Sequence, residues 1–152
     1  MRVLLRTDNS PAQLFIRLAL GAVMFAHGAQ KVLGWFGGPG MEKTIQAFTV
    51  KMGFPLWVPV LLMIIEFLGS LGLVTGLFTR LSALGIGTAM GVCAYMNHLQ
   101  HGFFMNWFGA QKGEGFEFHL LVIGICLALA VKGGGLLSLD AVLAGRKRGK
   151  KR

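Results

Sequence analysis

Charged residues are scarce in this sequence: of 152 residues only 14% are Asp, Glu, Lys or Arg, while 54% are hydrophobic. A soluble domain carries about 25% charged residues. A water-soluble fold of this length has too little interior to hide so much apolar surface, whereas lipid can solvate it from outside. Cysteine is scarce too. Cys93 and Cys126 each stand alone in an apolar run, and no Cys-x-x-Cys is present. That argues against a thiol–disulfide carrier and a soluble zinc site. No flavin or nucleotide fingerprint occurs, so any redox role needs a partner protein or a bound cofactor. A convincing leader is also lacking: the arginines near the start precede an apolar stretch whose one cleavage candidate, Ala26 to Ala29, is poor. A retained helix is the expectation there.

Four apolar segments are present, at residues 14–33, 56–78, 81–99 and 116–131. Each approaches the ~20 residues that carry a helix across ~30 Å of hydrocarbon, and Lys132 can snorkel to extend the fourth. The expected fold class is all-α: an integral membrane four-helix bundle over residues 14–135. A cytoplasmic N-terminus (1–13) precedes it and a cytoplasmic basic tail (136–152) follows. Pro55 and Pro59 suit the first turns of the second helix. Thr79-Arg80 reads as a tight connection between antiparallel neighbours. Gly37 to Gly40 breaks the chain after the first helix, and Met41 to Lys51 reads as an interfacial helix with Ile45 and Phe48 toward lipid. Gly133-Gly134-Gly135 ends the fourth helix, and Ser138 is placed to cap a short terminal one. The pairs Gly72/Gly76 and Gly87/Gly91 allow close helix packing.

The net charge is +9, and six of the 15 basic residues fall in the last seven positions: Arg146, Lys147, Arg148, Lys150, Lys151 and Arg152. Beside an apolar segment, such a tail is a topology signal that can touch anionic lipid, not a nucleic-acid footprint. With four spans, Arg2, Arg6, Arg80, Lys132 and the tail share one side, against Lys31, Lys43, Lys51 and Lys112 on the other. Both termini are therefore expected in the cytoplasm.

Ionisable groups inside the spans carry the functional expectation, because each costs about 2.5–3.5 kcal/mol to place at mid-bilayer. At 1.5 Å per residue, Glu66 lies roughly 15 Å deep and His27 ~20 Å from the cytoplasmic side, nearly level with it. His98, Glu117, His119 and Lys31 lie nearer the outer boundary, and Arg17 one turn in from the cytoplasm. At 100° per residue, each helix gathers polar and small residues on one face. Together these faces predict a polar pocket in the outer half, with Glu66 at its floor. The plainer readings are that Glu66 pairs with Arg17 or backbone, and that His98 and His101 face water. Trp35, Trp57 and Trp107 read as interfacial anchors, and the cysteines as ordinary buried residues. A metal or haem site of His27, His98 and His119 has no diagnostic spacing, so no metal ligands are assigned.

The chain resembles the DoxX family of small bacterial membrane proteins over about residues 17–143. The resemblance rests on Arg17, Gly21, Phe25-Ala26-His27-Gly28 and Lys31, then Glu66-Phe67-Leu68-Gly69, Gly72-Leu73 and Gly76-Leu77 before Thr79-Arg80. Gly115-Phe116-Glu117 and the closing Gly133-Gly134-Gly135-Leu136-Leu137-Ser138-Leu139-Asp140 complete it. It implies a four-helix membrane bundle. Members are commonly described as oxidoreductases, some linked to quinone or thiol stress, and wider relatives act as chaperones or cargo receptors. The expected function is a membrane oxidoreductase subunit that handles a quinone. Glu66, His27 and His119 would be its proton-transfer groups, and Arg17, Lys31, His98 and Glu117 its ligand-binding ones. A soluble or membrane partner would supply electrons. The alternative is a non-enzymatic assembly factor, scaffold or small-solute binder. Transport is weaker, because four helices would need an oligomer for alternating access.

Overall fold

The computed structural model describes residues 2–145, whose regular structure is all helical, with no strand among them. The six basic tail residues named above lie outside the described residues. Four longer helices make the body: α2 (Pro11–Val32), α4 (Trp57–Thr75), α5 (Thr79–Cys93) and α6 (Glu117–Lys132). Three short ones join them: α1 (Arg2–Leu5), α3 (Gly40–Gln46) and α7 (Leu139–Leu143). Helix α2 begins before the apolar run does. Pro11 sits at its start with φ already suited to a helix, and the Ser10 side chain accepts from the Ala12 N–H at 3.2 Å.

Small residues set the packing. A Cβ on Gly28 would lie 2.7 Å from the Phe67 Cα, and one on Gly21 2.8 Å from the Val74 side chain, so α2 lies backbone-close against α4. Helices α4 and α5 meet where Gly72 faces Ser82 and Gly69 faces Ile86. Helices α5 and α6 meet where Gly87 faces Cys126. In each pair, positions rise on one helix as they fall on the other, so neighbours are antiparallel. Leu20, Met24, Leu73, Ile86, Val122 and Leu129 form the centre of the core.

The connection between α4 and α5 differs from the expected one. Thr79 and Arg80 are the first residues of α5, and the turn is residues 76–78. Gly76 ends α4 in the left-handed conformation (φ 69°), so it acts as a cap rather than as a helix-packing glycine. The Asp140 carboxylate then accepts from the Phe78 and Thr79 N–H groups at 2.7 and 2.9 Å, capping α5 from α7. Asp140 is itself buried, so the segment after α6 is part of the packed body and not the start of a free tail. Ser138 caps α7 by accepting from the Ala141 N–H.

Two helices end in wide turns. Helix α3 runs into a π-turn over Ala47–Lys51. Phe48, expected toward lipid, instead turns inward, its ring 6.1 Å from that of Phe54. Helix α5 continues through a π-turn over Ala94–His98 and a 3₁₀ turn over Leu99–His101.

The outward surface is apolar on all four long helices: Phe15, Leu68, Leu84 and Leu121 are each more than half exposed, with many others beside them. Monomeric soluble proteins do not present continuous apolar surface of this kind. Helices α2 and α4 are long and apolar enough to cross a membrane.

Candidate functional site

The polar residues of the long helices divide into two groups at opposite ends of the helices. Arg17 belongs to one end. It is buried, and its guanidinium donates to the carbonyls of Gly134, Leu73 and Leu137 at 2.9 Å each, to Leu136 at 3.3 Å, and to Val74. These are carbonyls of the last turn of α4 and of the glycine turn after α6, so Arg17 ties the two segments together. The structure therefore sets Arg17 apart from Glu66. The two are not an ion pair, and Arg17 is ten residues, or about 15 Å, along α2 from His27.

The other end holds a cavity of about 600 Å³ between α2, α4, α5 and α6, with the π-turn after α3 at its mouth. Most of its wall is apolar, including Met24, Phe48, Phe54, Trp57, Leu61 and Phe118. Two polar clusters interrupt it. On one side, the Lys31 Nζ lies 2.6 Å from a Glu66 oxygen; Glu66 is buried and Lys31 retains partial exposure. His27, one turn before Lys31, also lines the cavity, its ring 6.1 Å from that of Phe118 on α6. On the other side stand Cys93, His98 and His119, whose ligand atoms all lie within 4.8 Å of one another. The His98 and His119 ring centres are 4.2 Å apart. His98 Nδ1 is 2.9 Å from the Glu114 carbonyl oxygen, while the buried His119 Nδ1 has no hydrogen-bond partner.

Of the residues singled out from the sequence, Glu66, His27, His119, Lys31 and His98 share this cavity. Glu117 does not line it: its carboxylate accepts from the Met105 N–H at 2.8 Å and the Trp107 indole at 3.3 Å, tying the loop before α6. Trp57, read from the sequence as an interfacial anchor, forms part of the cavity wall. Sequence reasoning missed two contacts. The Lys31–Glu66 pair was readable in principle: Lys31 is four residues, about 6 Å, above His27, which is level with Glu66, and a lysine side chain spans that gap. The meeting of Cys93 with the two histidines was not readable. Five residues apart on an α-helix, Cys93 and His98 would point about 140° apart, and only the π-turn brings them together.

This arrangement offers an apolar slot with a charged pair and an imidazole on its wall, suited to a ligand with an apolar body and a polar head. The family model DoxX matches residues 12–99, more than half of the chain. No curated protein and no solved structure matches the chain.

Proposed function

From the premise that the chain belongs to the DoxX family, we propose that it is a quinone-binding membrane oxidoreductase subunit. In this reading four helices span the bacterial plasma membrane with both termini cytoplasmic, and residues 14–135 form one domain. The largely apolar outward surface supports the four spans, and the excess of basic residues on one side supports the orientation. The helical run from Thr79 to His98 is long enough to cross, and Lys132 at the end of α6 can snorkel.

The observation that carries the ligand reading is the Lys31–Glu66 pair on the wall of a largely apolar cavity. Cavities of about 300–1,000 Å³ suit ligands of this class. A quinone head needs hydrogen-bond donors at its carbonyls and groups that exchange two protons when it is reduced. Lys31 can donate to a carbonyl oxygen, and Glu66 and His27 stand within the same wall as proton acceptors and donors. The prenyl tail would leave past Phe48 and Phe54, and electrons would come from a partner protein. His119 and His98 face the same space from the opposite wall. Arg17 and Glu117, considered at first as ligand contacts, act in this reading on the fold alone.

Titration of the purified protein in lipid nanodiscs with a short-chain ubiquinone tests the reading. Trp57 in the wall reports binding by fluorescence quenching, with Trp57→Phe as the control for quenching elsewhere. Saturable quenching that weakens about tenfold in Glu66→Gln, a loss of ~1.4 kcal/mol, is expected. A folded wild type that shows no saturable quenching would leave the scaffold or assembly role as the better reading.

A further inference from the structure

Cys93, His98 and His119 form a cluster that quinone binding does not use. We propose that these three side chains bind one copper(I) ion. The inference stands on its own geometry and is independent of what occupies the rest of the cavity.

Three features support the site. First, the ligand atoms already converge: one from each residue, all within 4.8 Å, among the described residues. A bound ion with bonds of ~2.0–2.3 Å to nitrogen and sulfur sets its ligands roughly 3.5 Å apart, so the cluster needs to close by only about an ångström. Second, both imidazoles have a nitrogen to give. The Glu114 carbonyl at His98 Nδ1 accepts a hydrogen bond from that nitrogen, which leaves the Nε2 lone pair free. This backbone support of the non-ligating nitrogen is the usual outer partner of a metal-bound histidine. His119 is only 6% exposed, yet its Nδ1 has no hydrogen-bond partner. A buried polar atom left in that state is unfavourable unless something fills the role. Third, the backbone departs from an α-helix at this point. The π-turn over Ala94–His98 lies between Cys93 and His98 and turns both to one side. Such turns are rare and concentrate at functional sites.

The donor set selects the metal. Thiolate and imidazole favour soft or borderline ions and disfavour magnesium and calcium. One thiolate balances the single charge of copper(I) within the ligand set itself, whereas a divalent ion would need a second anion from outside the three ligands. Met90, Met96 and Met105 line the same cavity, adding soft thioether surroundings that suit copper(I).

The test uses the full chain in detergent under anaerobic reducing conditions. Copper(I) is supplied as its coloured bathocuproine disulfonate complex, and capture by the protein is read as loss of colour. One equivalent per chain is expected, with affinity at least tenfold lower in Cys93→Ser and in His119→Gln. X-ray absorption of the loaded wild type should show one sulfur and two nitrogen ligands, and this decides the matter alone if a variant does not fold. The proposal is overturned by a folded wild type that takes up no stoichiometric copper(I), by a spectrum without sulfur, or by zinc(II) binding as tightly as copper(I). Ubiquinone quenching at Trp57 reads a different property, so either reading can fail without the other.

Discussion

Glu66 and Arg17 are both buried charges in apolar helices, but their partners differ. Glu66 meets a single countercharge, Lys31, at 2.6 Å. Removing one member of such a pair leaves the other uncompensated, which costs more than removing both. Lys31→Met should therefore destabilise the protein by about 3 kcal/mol, and adding Glu66→Gln should restore much of that loss. Chemical denaturation in detergent of the two single variants and the double variant checks this. Equal losses in Lys31→Met and the double variant would show that the pair is not coupled. Arg17 meets no carboxylate in its hydrogen bonding; five backbone carbonyls surround its guanidinium. Lysine keeps the charge but lacks the planar fork and two of the five N–H donors. Arg17→Lys should lower stability by at least about 2 kcal/mol, while the quinone titration of the folded protein stays unchanged. Thermal unfolding followed by the titration separates the two effects. From the sequence, the level of these residues along their helices was legible, because rise per residue is nearly constant in a helix. Their partners were not. Backbone carbonyls carry no signature in side-chain sequence, so Arg17 and Glu66 were natural candidates to pair with one another.

Among the elements, helix positions were legible from the apolar runs, and helix ends were less so. The α4–α5 turn shows why. Sequence places a break near Thr79 because Thr and Arg interrupt the apolar run, but the break begins at Gly76, which ends α4 in the left-handed conformation at little cost. The cap of α5 comes from Asp140, 61 residues away from Thr79, which no local pattern announces. Asp140→Asn removes one acceptor of the two and the favourable charge at the start of α5, and should cost about 1 kcal/mol in thermal unfolding. An unchanged melting temperature would mean that the cap contributes nothing. Gly28 tests the opposite case, a contact between elements. Ala at this position would drive its Cβ to 2.7 Å from the Phe67 Cα, and backbone on the far side has no rotamer with which to yield. Gly28→Ala should cost about 1–3 kcal/mol by forcing α2 away from α4, and should also displace Lys31 from Glu66. Reduced stability together with weaker quinone quenching is the expected result. The π-turn after Cys93 remained hidden because its residues, Ala94 to His98, are also compatible with an α-helix.

Across the whole molecule, the two ends of the helices have different constructions. One is tied by Arg17, Asp140 and the glycine turn after α6; the other holds an open cavity with loops at its mouth. The proposed orientation puts the tied end at the cytoplasm and the cavity on the outer side. A reporter active only in the cytoplasm should work when fused after Arg152 and fail when inserted beside Lys112. The reverse pattern would invert the topology and place the cavity on the inner side. The membrane character was legible at this scale because it depends on composition alone, and the level of the pocket followed from helix rise. The metal-ligand cluster was not, since it needs the register of α5 and α6 relative to one another.

The Arg17 contacts also impose an order in time. The carbonyl of Gly134 lies 117 residues beyond Arg17 in the chain, and that of Leu137 lies 120 beyond. During synthesis α2 must therefore wait, carrying a charged guanidinium whose partners from Gly134, Leu136 and Leu137 have yet to emerge. The segment from Gly134 to Leu137 then completes this end of the fold by reaching back to α2.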